Sequence, residues 1–95
     1  MTTPHGQFPD TWVGSIVLSL SGRDKKRLFL VVGLDEENGY LYIADGKLRQ
    51  IQHPKKKKCK HLRFVRCGSE TVKRALLDKT MTNSQLQAVL ADICF

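Results

Sequence analysis

The chain has 95 residues and a formal charge of +7, from 16 Lys and Arg against 9 Asp and Glu. With 41% hydrophobic residues it is too apolar for disorder throughout and long enough for one small core. No apolar run approaches the ~18 residues that span a bilayer, and no basic flank followed by an apolar core follows Met1, so neither a membrane partner nor a secretory signal is expected.

The chain is therefore expected to be cytoplasmic, and its three cysteines are read as reduced thiols rather than a disulfide framework. Cys94 is expected to be a buried or half-buried thiol. Residues 1–12, with two prolines and small polar residues, read as a flexible arm whose end Trp12 anchors to the body. From Val13 the pattern turns strand-like. Ile16, Leu18 and Leu20 alternate with Ser15, Val17, Ser19 and Ser21, the period of a strand with one wetter face. A charged loop follows, Ser21-Gly22-Arg23-Asp24-Lys25-Lys26-Arg27, in which Asp24 is expected to bond to the loop backbone.

Leu28-Phe29-Leu30-Val31-Val32 is a short apolar run rich in β-formers and predicts a second strand. Asp35-Glu36-Glu37-Asn38-Gly39 predicts a turn in which Asn-Gly supplies positive φ. Tyr40-Leu41-Tyr42-Ile43-Ala44 is a third strand. Asp45-Gly46 reads as a two-residue hairpin leading into a fourth strand, Lys47-Leu48-Arg49-Gln50-Ile51. The run Pro54-Lys55-Lys56-Lys57-Lys58-Cys59-Lys60-His61 is a second cluster of positive charge. His61-Leu62-Arg63-Phe64-Val65-Arg66 alternates basic with apolar residues and predicts a fifth strand. Five short strands with tight turns point to a small closed or partly open barrel, because an open sheet would leave two exposed edges.

After Cys67-Gly68 the periodicity becomes helical. Ser69 caps a helix with Val72, Ala75 and Leu76 on its apolar side. Thr82 and Gln85 form a capping box that opens a second helix, with Leu86, Val89, Leu90 and Ile93 as its stripe. That stripe packs against the barrel or serves as a docking face.

Gly14 through Val32, with Ser21-Gly22-Arg23-Asp24-Lys25-Lys26-Arg27 at its centre, resembles a KOW motif. The resemblance continues through Ala44-Asp45-Gly46-Lys47-Leu48-Arg49 to Lys60-His61-Leu62-Arg63-Phe64, about half of the chain. This longer pattern is similar to the small bacterial KOW-domain RNA-binding proteins, relatives of a large-subunit ribosomal protein of archaea and eukaryotes. The resemblance implies a five-stranded SH3-like (KOW) barrel, here over 13–66; with the two short C-terminal α-helices read from the residues over 67–95, the expected protein is mainly β. It also implies that the loop after the first strand faces RNA, which places Arg23, Lys25, Lys26 and Arg27 at the surface of interest. The family usually has glycine where this chain has Lys26. Either the turn differs here, or a lysine takes positive φ at roughly 1 kcal/mol.

Clustered cations favour a polyanionic partner. The expected RNA-binding residues are Arg23, Lys25, Lys26, Arg27, Lys47, Arg49, Lys55, Lys56, Lys57, Lys58, Lys60, His61 and Arg63, and Arg66 adds a guanidinium that can bond bidentately or stack. DNA is disfavoured, because no helix is basic enough to enter a major groove. Phe29 and Phe64 are read as core, and Tyr40 and Tyr42 as core packing with wet hydroxyls rather than stacking platforms. His53, Cys59, His61 and Cys67 have irregular spacing and no C-x2-C pair, so neither a metal nor another cofactor is expected. No nucleophile with a nearby base and no phosphate-cradling glycine loop is present, so neither an enzyme nor a small-molecule substrate is expected. The expected function is a non-enzymatic RNA-binding module, ribosome- or translation-associated, with ribosomal RNA as the partner. The alternative is a protein-interaction module that docks a ribosomal or transcription partner.

Overall fold

The computed structural model describes residues 12–23, 25–35 and 37–93. The strands are β1 (Ile16–Ser19), β2 (Leu28–Asp35), β3 (Tyr40–Ala44), β4 (Lys55–Lys58) and β5 (Leu62–Arg66). A 3-10 turn, Cys59–His61, joins β4 to β5, and helices α1 (Glu70–Leu77) and α2 (Asn83–Ala91) follow. The remainder of the expected arm before Trp12, the role of Asp24 and the burial of Cys94 lie outside the described residues.

The strands form one antiparallel sheet in the order β4-β3-β2-β1-β5. The two edge strands, β4 and β5, are consecutive in the chain and separated only by the three-residue turn. The sheet must therefore curl until its edges approach one another, giving a barrel-like wall that is not closed by a ladder.

Curling creates two cores. Val17, Phe29, Val31, Leu41, Ile43 and Leu62 fill the interior, with Trp12 packed against them. Ile16, Leu30 and Ala44 point outward and are covered by Val72, Met81 and Leu86 of the helical segment. β2 thus sends alternate residues into different cores, which is why Leu28-Phe29-Leu30-Val31-Val32 reads as an unbroken apolar run. The stripe of α2 is spent on the second core: Leu86 is fully buried, and Val89, Leu90 and Ile93 pack beside it. It is not a free docking face.

Both helix starts form as the caps predict. Ser69 accepts from the Val72 N–H, and Thr82 and Gln85 make a reciprocal capping box. α1 ends with Lys79 at φ 59°, whose N–H donates to the Leu76 carbonyl while Thr80 N–H donates to Ala75. This is the left-handed C-terminal turn that glycine usually provides.

Two expectations are corrected. Residues 47–51 are not a strand. The Asp45 carboxylate accepts the N–H groups of Lys47 and Arg49, and the Arg49 carbonyl accepts those of Asp45 and Gly46. A side chain that satisfies the local backbone leaves no ladder to extend. The fourth strand is instead the lysine run itself, Lys55–Lys58, paired with β3. The Asp35–Gly39 reversal does form, with Gly39 at φ 76° and Asn38 bonded to the Asp35 carboxylate.

Candidate nucleic-acid interface

Residues 20–27 link β1 to β2, and residues 45–54 link β3 to β4. Antiparallel order places both connections at the same end of the sheet. The first loop closes on Ser19, whose N–H donates to Arg27 O and whose carbonyl accepts from Lys26 N–H. Two residues thus face one, a bulge whose first member, Lys26, sits at φ 68°. The turn that glycine would favour is kept with a lysine in it.

The 45–54 loop is held from behind by α2. Asn83 Oδ1 accepts the Ile51 N–H at 2.8 Å, and Gln87 Nε2 donates to the Gly46 carbonyl at 2.8 Å. Gly46 has φ 80° and lies so close to the Asn83 carbonyl that a Cβ there would collide with it. The C-terminal helix therefore fixes the backbone that carries Lys47 and Arg49.

Arg23, Arg27, Arg49 and Lys55, from three separate segments, line one cleft of about 500 Å³ with Leu48. Among the described residues no carboxylate lines it. A neighbouring cleft of about 420 Å³ shares Arg27 and adds Lys26 and Lys47. Its carboxylate, Asp45, is occupied by backbone N–H groups. Six cations thus border one continuous surface. Lys25 is exposed in the same loop.

The lysine run does not act as a unit, because a strand divides it. Lys56 and Lys58 stand opposite Tyr42 and Tyr40, on the sheet's outer face. Lys56 Nζ lies 4.8 Å from the Tyr40 ring centre and 4.0 Å from Asp35 Oδ2. Lys55 and Lys57 stand opposite Ile43 and Leu41, toward the interior. Lys57 is only 7% exposed, and its Nζ donates to Ser19 Oγ and to the Ser21 carbonyl, each at 2.8 Å. Contrary to the expectation of an exposed cation, it is buried and bonded within the protein. It is the pin that holds the first basic loop against β4.

Lys60 is exposed and His61 half-buried in the 3-10 turn, and Arg63 is exposed on β5. Tyr40 and Tyr42 are half-buried. Phe29 is buried as expected, but Phe64, on the edge strand β5, is 45% exposed. Its ring meets Trp12 with centroids 5.9 Å apart. Among the described residues no three His, Cys, Asp or Glu side chains gather as a metal site would require, and no helix is long and apolar enough to cross a membrane. Burial raises the Cys59 thiol above its ordinary pKa.

Comparison with protein-family models finds no match to this chain, and comparison with curated proteins finds no relative.

Proposed function

We propose that the protein is a non-enzymatic RNA-binding module of the KOW type, working in translation or on the ribosome, with ribosomal RNA as its partner. One observation carries this reading: Arg23, Arg27, Arg49 and Lys55 converge on a single cleft from parts of the chain up to thirty-two residues apart. The three guanidiniums gathered this way repel one another, and an anion shared among them relieves that repulsion. A phosphate backbone supplies such an anion repeatedly, and each contact releases condensed counterions. The three guanidiniums can grip phosphate oxygens bidentately. α2 contains no Lys or Arg, and α1 carries only Lys73 and Arg74 against Glu70, so a helix-in-groove mode for DNA has no strongly basic helix to use.

Salt tests the reading. With four phosphate contacts, affinity for RNA falls by about fifty-fold between 50 and 200 mM salt. Loss of less than about threefold would refute a backbone mode.

A second reading is a protein-interaction module for a ribosomal or transcription partner. It is favoured by an apolar groove of about 520 Å³ lined by Val32, Tyr42, Ile51, Leu76 and Met81 among others. Docking there would be nearly insensitive to salt.

A further inference from the structure

Phe64 is a large apolar side chain left 45% exposed on the edge strand β5. Its ring is buttressed by Trp12 in a tilted contact, with 55° between the planes. Arg63 and Phe64 share a cleft of about 330 Å³ with Leu18 and Val65, and Arg66 is exposed two residues on. An exposed ring held in place by a second ring and bordered by guanidiniums suits a partner that is anionic and also presents flat π-faces. Unpaired nucleotides have both properties, and duplex RNA hides its base faces.

We infer that Phe64 is a base-stacking site for single-stranded RNA, next to the phosphate-binding cleft and serving the same strand. This inference rests on the proposed RNA-binding reading and extends it from backbone recognition to unpaired bases. The path is short. Leu20 N–H, at the start of the first basic loop, donates to the His61 carbonyl, and Leu18 pairs with Arg63. A strand leaving the Arg23–Arg27 loop therefore passes directly onto β5. Phe64 offers the ring face, and Arg63 stays within reach of the attached phosphate.

The test compares three probes on the full chain: single-stranded oligouridylate, an RNA duplex, and polyglutamate, a polyanion without bases. Phe64→Ala is expected to weaken oligouridylate binding by about tenfold and to leave the duplex and polyglutamate unchanged. Phe64→Leu keeps an apolar partner for Trp12 and loses only the ring, so the same selective loss is expected from it. An oligomer carrying 5-bromouridine is expected to crosslink to Phe64 or to Trp12, the chain's one tryptophan. Unchanged oligouridylate affinity in both variants overturns the stacking inference, as does an equal loss on polyglutamate. If the wild-type chain binds duplex but not single strand, stacking alone fails. If it binds neither RNA, the RNA-binding reading fails with it.

Discussion

Lys57 reaches across the barrel to Ser19. Its ammonium lies 2.8 Å from the Ser19 hydroxyl and 2.8 Å from the Ser21 carbonyl. β4 and β1 are not neighbours in the sheet, so this contact links strands that the ladder does not. It also fixes the start of the loop that carries Arg23 and Arg27. A lysine in a basic run thus serves the site by positioning it.

Lys57→Met is expected to lower stability by about 1–3 kcal/mol, because it strips partners from buried polar groups. RNA affinity should fall while the salt slope stays the same, since no phosphate contact is lost. Urea denaturation and binding measured at two salt concentrations check both outcomes.

Arg23→Ala, Arg27→Ala and Arg49→Ala should each weaken RNA binding and reduce the salt slope by about 1. Lys58→Ala, on the outer face beside Tyr40, should change neither by a comparable amount. Equal effects from Lys58 and Arg49 would disperse the site over the whole surface.

Lys26 and Lys79 both occupy left-handed backbone, at φ 68° and 59°. Lys26→Gly and Lys79→Gly should each raise stability by up to about 1 kcal/mol, read as an upward shift in Tm. Lys26→Gly should also weaken RNA binding, because its cation borders the second basic cleft. Lys79→Gly should leave binding alone.

Most of the architecture was legible in the sequence. The Ser69 and Thr82 caps, the strands around Val31 and Leu41, and the two basic segments are all written in local pattern; β1 was legible as a strand but not in its faces, because Ser15, Val17 and Ser19 are fully buried while Leu20 is 43% exposed. The lysine strand was not. Lys55–Lys58 has no apolar alternation, and its strand identity comes from pairing with β3, a tertiary fact. Lysines on an edge strand also discourage pairing with other chains, so the residues that hide the strand from a pattern search suit its position. Leu48 and Ile51 within 47–51 imitate a strand. The Asp45 carboxylate decides otherwise by capturing two backbone N–H groups. Phe64 was misread because alternation names a face but does not say whether anything covers it.

Asn83→Ala removes the acceptor of the Ile51 N–H and should loosen the 45–54 loop. Hydrogen exchange at the Ile51 amide should accelerate, with a global cost of about 1 kcal/mol. Leu86→Ala should cost more, about 2–5 kcal/mol, because it opens a cavity under the sheet.

Burial raises the Cys59 thiol pKa, so the folded state favours its protonated form. Its contribution to stability is complete below the unfolded thiol's pKa and is lost as pH rises through the folded value. Near pH 8, iodoacetamide should label exposed Cys67 faster than half-buried Cys59. Mass mapping of the labelled peptides reads this directly.

The most direct measurement is an NMR titration of the nitrogen-labelled protein with RNA, following the arginine side-chain Nε–H signals. The predicted result is that Arg23, Arg27 and Arg49 shift together and return as salt is raised. Shifts confined to the Val32, Tyr42 and Met81 groove, with those three arginines unmoved, would contradict it.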